Sequence, residues 1–468
     1  MQPPEPQAAP APVASPTASA PVQAKVPFYK REISFKRKPK PAAAEPVVAP
    51  PAPAPDKSAD VPEDSAESVA APTPVPARPR APKQNVPFYK RDISFGRSGS
   101  PVVSTDKGTS AARRQKALVG VKIGASGISA ARVIQSGGRR ELLELVREPL
   151  PRGVVVAGEV RDVPALASAL ANLFDAHRIP KRAVRLGVSN NRIGVRIVEI
   201  TGVMEPRQLE NAIRFRAQEV LPIALEDAVL DYQQLSESVN ADGELVRRVL
   251  LVVAYRDLID RYVVAFKEAG VRLVGIDLEA FGLLRALTPG ATEGRADAAQ
   301  VVVSIGHERS TFAVSDGNVC EFTRVLEWGG STLDVAVARQ LNLTPSEAEP
   351  VKHALSLDGS EVALPPNVTQ EQAALAADIV RRQLQTFARE LVSSLQYYQN
   401  QPDSLGIGDI VIAGGTSLIP GLAGELQRLI GVSVRVGDPF ERVSVGRNIE
   451  VHETQRALAI AIGLAIED

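Results

Sequence analysis

The chain has 468 residues, enough for two or three domains, and its 54 Lys and Arg residues balance its 54 Asp and Glu residues. The charge is unevenly placed, because residues 1–115 carry 17 basic and 10 acidic residues, a surplus of +7 that the remainder offsets. The lone Cys320 excludes an internal disulfide and fits a reducing compartment. We see no export signal and no apolar run long enough to cross a bilayer.

Residues 1–116 are predicted to be a long disordered tail rich in Pro and Ala, since 23 of the 37 prolines lie within the first 101 residues. Residues 26–37 recur as residues 86–97, with ten of twelve positions identical. Aromatic and basic side chains are kept together, which predicts two copies of a short linear motif rather than low-complexity drift. The residues that define it are Phe28, Tyr29, Lys30, Arg31 and Phe35, and Phe88, Tyr89, Lys90, Arg91 and Phe95.

What the tail motif recognises is left open by the sequence. A pocket lined by acidic groups suits its aromatic anchors and cations, and two copies on one tether raise their effective concentration. A partner protein, anionic lipid headgroups and a groove on the acidic body are the alternatives. Nucleic acid is not predicted, because each motif is short and no basic fold accompanies it.

The body begins with a β-hairpin that is repeated about 180 residues later. The first copy has strands 117–123 and 128–134, and the second has strands 301–305 and 311–314. Near the end of the chain, strand 410–413 leads through a glycine pair into a helix opened by Pro420. Glycine allows close backbone approach to a phosphate, although an ordinary strand–helix turn is the alternative. Together the three turns predict a cleft between two related halves, with hairpin N–H groups pointing at phosphates.

Other segments predict the remaining elements of the body. Residues 201–275 read as a small α+β insertion, with a helix over 205–220 whose apolar stripe includes Leu209 and Ile213. Thr344 and Glu347 have the spacing of a capping box. A long amphipathic helix follows, in which Tyr397 and Tyr398 are expected to pack rather than to stack on a base.

Several motifs carry a resemblance to a known family. They are the segments 204–222, 225–227, 230–232, 275–285, 322–324, 329–330 and 391–399. With the order of the three turns, they make residues 117–468 resemble the actin-like ATPase superfamily and, within it, the PilM family of type IV pilus assembly. The resemblance implies an α/β, two-lobed actin-like fold, with a first lobe over 117–298 that includes the insertion 201–275, and a second lobe over 299–468.

The resemblance also implies a function and a location. It implies a scaffold at the cytoplasmic, inner face of the cytoplasmic membrane, which binds the N-terminal cytoplasmic peptide of a PilN-like single-span membrane protein. The expected groove lies between the first-lobe core and the insertion. The tail motifs are expected to recruit other pilus machine proteins or to occupy that groove in cis, and the basic tail to contact the membrane only weakly or indirectly.

The chain departs from the superfamily at the two strand positions that normally hold Asp before each phosphate loop. Lys122 and Ser304 stand there, so we expect no magnesium and no hydrolysis, and His307 and Glu308 are expected to be solvated. Either ATP or ADP binds without metal or no nucleotide binds. The residues of such a site are Lys122, Gly124, Ala125, Ser126, Gly127, Gly306, Gly414, Gly415, Thr416 and Ser417.

Two other functions compete with the scaffold. One is a magnesium-dependent ATPase or sugar-kinase-type phosphotransferase, which the missing carboxylates disfavour. The other is a membrane tether resembling FtsA, which is disfavoured because core-like sequence runs to the end, at residues 465–468, with no amphipathic helix after it. No Cys/His spacing predicts a metal site, and no residue is predicted to be catalytic.

Overall fold

The computed structural model describes residues 116–203, 205–220, 224–289, 297–360, 362–366, 368–447 and 449–467. Apart from Lys116, the predicted tail lies outside the described residues, and so do both copies of the linear motif, at 26–37 and 86–97. Among the described helices, none combines the length and the apolar character needed to cross a bilayer.

Two main β-sheets are built from strands rich in Val, Ile and Leu, which favour extended backbone. Numbered in chain order, the strands of the first sheet are β1 (Lys116–Ile123), β2 (Gly127–Ser136), β3 (Arg139–Pro149), β6 (Val184–Val188), β10 (Leu273–Leu278) and β16 (Ser444–Val445). A separate two-stranded ribbon, β4 (Val155–Val156) and β5 (Glu159–Val160), follows β3 in the chain. The second sheet contains β11 (Ala299–Ile305), β12 (Ser310–Ser315), β13 (Cys320–Leu326), β14 (Ile407–Ala413) and β15 (Ser433–Val436).

The two sheets share one plan. Each has an antiparallel meander of three consecutive strands, and two parallel strands continue the sheet beyond the first strand of the meander. Both predicted hairpins are therefore confirmed. The register pairs Lys122 with Ser129 in the hairpin, and it pairs Ser304 with Thr311 in the same way. Lys122 and Ser304 thus occupy equivalent positions in the two sheets.

Helices pack against each sheet. The first core contains side chains of α1 (Val163–Ala176), α3 (Arg256–Glu268) and α4 (Glu279–Leu287), and the second contains those of α5 (Gly330–Leu341), α6 (Pro345–His353), α7 (Gln370–Gln399) and α8 (Leu422–Ile430). The predicted capping box at Thr344 is confirmed, and Thr369 forms another before α7. The helix predicted to open at Pro420 instead begins at Leu422, because Gly421 has a positive φ of 80° and interrupts the turn.

The insertion is a three-stranded sheet with one helix, and its predicted bounds of 201–275 are wrong. Its elements are β7 (Ile193–Thr201), α2 (Pro206–Val220), β8 (Ala228–Val239) and β9 (Leu245–Tyr255), with β9 in the centre. Leu209 and Ile213 of α2 pack on one face of this sheet, as predicted. The other face joins the first-lobe core through residues such as Val195 and Leu250. The predicted insertion omitted β7 and wrongly included α3 and β10, which belong to the first lobe.

The end of the chain returns to the first lobe, so the predicted second lobe, 299–468, does not extend to the last residue. β16 pairs in parallel with β3, and α9 (Ala459–Ala465) packs against β1, β2 and α4. Arg185 donates to the carbonyl oxygens of Leu464 and Ile466 at 3.2 and 3.0 Å, and Arg285 donates to that of Gly463 at 2.9 Å. Two arginines therefore neutralise the carbonyl end of this apolar helix.

Candidate functional site

The second and third predicted turns meet at one edge of the second sheet. β11 and β14 are parallel neighbours, with Ser304 opposite Ala413, so both strands end at the same edge. The Thr416 hydroxyl donates to the Gly306 carbonyl oxygen at 3.2 Å. Gly414 has a φ of 90°, and a Cβ there would collide with the backbone of Ile305, so only glycine fits. Ser417 is buried and donates from its hydroxyl to the Gly414 carbonyl oxygen at 2.8 Å.

The N-terminus of α5 also lies at this edge, and its first N–H groups already donate to carbonyl oxygens of the second turn. The Gly330 N–H donates to the Gly306 carbonyl oxygen at 2.9 Å, and the Ser331 N–H donates to that of His307 at 2.7 Å. The Gly306 N–H closes its own turn onto the Arg309 carbonyl oxygen at 3.0 Å. The expectation that the N–H groups of this turn point at a phosphate is therefore wrong for Gly306.

The hydrogen bonds described for the first turn stay within the first lobe. The Gly124 N–H closes onto the Gly127 carbonyl oxygen at 2.9 Å, and the Leu150 N–H bonds that of Ser126. Arg147 donates to the Ser126 hydroxyl at 3.3 Å. Lys122 Nζ lies 2.7 Å from where a Cβ of Gly124 would be, so its ammonium covers the turn. None of the hydrogen bonds described for Lys122, Gly124, Ala125, Ser126 and Gly127 joins them to the second or third turn.

A buried ion pair that the sequence analysis missed lies beside the second turn. Lys352 Nζ lies 2.8 and 3.0 Å from the two carboxylate oxygens of Asp334, and both side chains are only 3% exposed. His307 Nδ1 is 4.0 Å from the same carboxylate. Burial lowers the pKa of His307, and the nearby charge of Asp334 opposes this shift. The expectation that His307 is solvated is wrong.

Side chains of the second turn also connect the two lobes. Glu308 accepts a hydrogen bond from the Ala157 N–H at 2.9 Å, and Arg309 donates to the Ser189 carbonyl oxygen at 2.7 Å. The hydroxyls of Ser189 and Thr311 are 3.0 Å apart. The predicted solvation of Glu308 is therefore wrong, because the carboxylate holds a first-lobe backbone N–H. The second turn therefore connects the two lobes through hydrogen bonds and is not an open loop.

A cavity of about 620 Å³ lies elsewhere between the lobes. Its floor is apolar and contains Val188 and Leu278, which end the first-lobe strands β6 and β10. One wall is β7 of the insertion and the other is β13 of the second sheet. We call this space the inter-lobe groove; its lining is Val188, Ser189, Asn190, Asn191, Ile193, Val195, Leu278, Ala280, Thr311, Thr323, Arg324, Val325, Leu326, Glu327 and Glu390.

Both walls of the inter-lobe groove are strands at a sheet edge. β7 pairs only with β9 in its sheet, and β13 pairs only with β12. An edge strand has N–H and C=O groups on its outer side that no neighbouring strand of its own sheet binds. At the rim, Asn191 of the first lobe donates to Glu327 at 2.7 Å, and the exposed Glu390 comes from α7. None of the predicted nucleotide-site residues lines this groove.

In the part of the chain that the structure describes, no group of three His, Cys, Asp or Glu side chains is placed so that it could hold a metal ion. Tyr398 is buried and donates its hydroxyl to Glu321 at 2.5 Å, as the packing prediction requires, whereas Tyr397 is 54% exposed. Neither tyrosine lines the inter-lobe groove.

Comparison with known proteins adds the following matches. The family model described as type IV pilus assembly protein PilM matches residues 120–468. A solved PilM–PilN type IV pilus biogenesis complex contains a chain that is 27% identical, with a TM-score of 0.61, over 74% of this chain and 97% of that one. A cell division protein FtsA of Streptococcus pneumoniae serotype 2 (strain D39) is 21% identical over 358 residues, 70% of this chain and 76% of that protein.

A weaker structural match is the ethanolamine utilization protein EutJ from Carboxydothermus hydrogenoformans, which is 16% identical with a TM-score of 0.44, over 75% of this chain and 90% of that one. The match to the chain of the pilus complex spans nearly all of that protein. The predicted two-lobed actin-like fold is confirmed.

Proposed function

Since the chain belongs to the family of the type IV pilus assembly protein PilM, we propose that it is a scaffold of a type IV pilus machine and that it binds the N-terminal cytoplasmic peptide of a PilN-like membrane protein. The supporting observation is the inter-lobe groove, whose two walls are strand edges from different lobes. Held by that partner, the scaffold works at the cytoplasmic face of the inner membrane.

An extended peptide suits this groove better than a compact ligand does. A peptide strand satisfies the outward N–H and C=O groups of an edge strand, and alternate side chains enter the pockets beside it. Val188, Leu278 and Val195 offer an apolar floor and wall, while Glu327 and Glu390 offer carboxylates to a basic peptide at the rim. From the sequence, the groove is expected between the first-lobe core and the insertion; the groove proposed here has the second-lobe strand β13 as its other wall.

We also propose that the chain is not an enzyme. Lys122 and Ser304 occupy equivalent strand positions where the superfamily has carboxylates, and a lysine ammonium repels a metal ion. The N–H groups of Gly330 and Ser331 are bound by the second turn, which removes two phosphate donors. ATP or ADP binding without magnesium stays a prediction. Magnesium-dependent ATP turnover above that of the denatured protein would contradict this proposal.

Binding of the PilN-like peptide can be tested with a pair of matched substitutions. Val325 is half-buried in the groove wall, and Val335 is 43% exposed on α5 outside it. A fluorescent peptide copied from the cytoplasmic N-terminus of the PilN-like protein of the same genome is titrated against the full chain. Val325→Arg should weaken binding about tenfold or more, because it places a cation and extra volume where a basic peptide lies.

Val335→Arg adds the same side chain elsewhere and should bind the peptide as the unaltered chain does. Equal binding by the two variants would show that the peptide does not bind in the groove. Absence of saturable binding to the unaltered chain at low salt would remove the PilN-like partner itself.

A further inference from the structure

We propose that residues 86–97 of this same chain dock in the inter-lobe groove and compete there with the partner peptide. The competition rests on the proposed function, whereas the docking requires only the groove and the tail. The occupant is thus a named segment outside the described residues. Its sequence is Val-Pro-Phe-Tyr-Lys-Arg-Asp-Ile-Ser-Phe-Gly-Arg.

The chemistry of the segment fits that of the groove. Phe88 and Phe95 are apolar side chains of the size that fills a pocket floored by Val188 and Leu278. Three basic residues and one acidic residue give the segment a net charge of +2. The groove lining has two exposed carboxylates, Glu327 and Glu390, and one exposed cation, Arg324, so its net charge of −1 is opposite to that of the segment.

The backbone of the segment also suits the two strand edges. Val, Phe, Tyr and Ile favour extended conformations, and Pro87 stands near its start, where a missing N–H is tolerated in an added strand. A cavity of about 620 Å³ lies within the range that ligand sites occupy, and the strands on its two sides, β7 and β13, are both at the edge of a sheet. The segment would therefore enter as a strand rather than as a helix.

The length of chain before the body allows this docking in cis. Residues 98–115 separate the segment from Lys116, and they are rich in Ser, Thr and Gly. A Gly/Ser-rich chain of 18 residues has an average end-to-end distance of about 24 Å. Lys116 begins the eight-residue strand β1, and the groove lies beyond the other end of the neighbouring strand β6, so the distance to be covered along the sheet is about 25 Å.

The second copy of the motif provides an internal control. Residues 26–37 are identical to 86–97 at ten of twelve positions but lie 78 residues before Lys116. Because effective concentration falls with about the −3/2 power of linker length, the nearer copy should be favoured about ninefold. Occupancy in cis should therefore depend on position along the tail, whereas binding to a separate target need not.

Cross-linking in the full-length chain tests the docking directly. The photoreactive amino acid p-benzoylphenylalanine is placed at position 95 in one protein and at position 35 in another, and cross-linked peptides are identified by mass spectrometry. We expect position 95 to cross-link within the same chain to Ile193–Val195 or Thr323–Glu327, several-fold more often than position 35. Cross-links from position 95 that lie elsewhere on the body, or between chains, would overturn the proposal.

A binding measurement adds a second readout that does not use the PilN-like peptide. A labelled synthetic peptide of residues 86–97 is titrated against full-length chain with Phe28, Phe35, Phe88 and Phe95 changed to Ala. Binding should be saturable, should weaken about tenfold when Glu327→Lys and Glu390→Lys are added, and should be unchanged by Glu268→Lys. Glu268 is exposed on α3 and does not line the groove.

The intact tail should raise the apparent dissociation constant of the same peptide about tenfold, because a tethered copy at about millimolar effective concentration competes with it. No difference between intact and substituted tails would overturn docking in cis. Vesicles containing anionic lipid test the alternative target: if they bind the peptide while the chain does not, the motif recognises lipid and the proposal fails.

Discussion

Removing one partner of the buried Lys352–Asp334 pair should destabilise the second lobe far more than removing both. Lys352→Met leaves the Asp334 carboxylate 3% exposed and without its cation, because no other described cation lies as close. Stranding a buried charge in this way typically costs about 3–5 kcal/mol. Replacing both residues, as Lys352→Met with Asp334→Leu, should recover most of that loss, since a well-packed apolar pair is often neutral or better.

The free energy of unfolding is measured by guanidinium denaturation of the full chain and its variants. Trp328 is the only tryptophan, and it stacks on Phe387 of α7 at 4.2 Å between ring centroids, so its fluorescence reports on the second lobe. Arg435→Met is the matched control, because the Arg435–Asp409 pair is 51% and 36% exposed and should contribute less than about 1 kcal/mol.

A double-mutant cycle tests whether the loss of stability comes from leaving one buried charge without its partner. A coupling of several kcal/mol between positions 334 and 352 is expected, because each single change strands the other charge. If Lys352→Met costs no more than the control, or if the two single effects simply add, the predicted cost of leaving one buried charge without its partner is refuted.

Three further results should follow from packing, burial and charge. Gly463→Ala should destabilise the first lobe by about 1–3 kcal/mol, because its Cβ would collide with the Gly282 carbonyl oxygen, whereas Gly424→Ala, with open space around it, should be neutral or stabilising in thermal unfolding. The free energy of unfolding should fall as pH drops below about 6.5, because burial lowers the pKa of His307 and the unfolded chain then binds a proton that the folded chain does not. His307→Gln should flatten this part of the plot of stability against pH, and an unchanged slope would contradict the assignment to His307. Burial raises the pKa of Cys320 to about 12, so its thiol should resist alkylation at pH 8 until the protein unfolds, and rapid labelling of folded protein would be the contrary result.

Local patterns in the sequence predicted much of the fold because each pattern is complete within a short stretch of the chain. The two hairpins, the capping box at Thr344 and the apolar stripe of α7 each depend on residues close together in the chain, and the structure contains all of them. The bounds of the insertion were wrong for a different reason. β7 is an ordinary apolar strand, and its partner β9 lies about 50 residues later, so nothing near Ile193 shows which sheet it joins.

The candidate site was predicted only in part, since its parts come from distant segments. The sequence located the three turns but not which of them touch, and Glu308 binds a backbone N–H 151 residues away. The inter-lobe groove has walls at β7 and β13, with Glu390 contributed by a third segment. A buried lysine such as Lys352 is indistinguishable from a surface lysine in a helix until Asp334 is placed beside it.

The return of the final helix to the first lobe has a consequence for how this protein is made. All strands of the second sheet lie between Ala299 and Val436, so that half can finish folding while the earlier half still lacks α9 and β16. Until α9 leaves the ribosome, the surfaces around Gly120 and Gly282 that it will cover are exposed. A premature stop codon before α9 would therefore damage the half that was synthesised first.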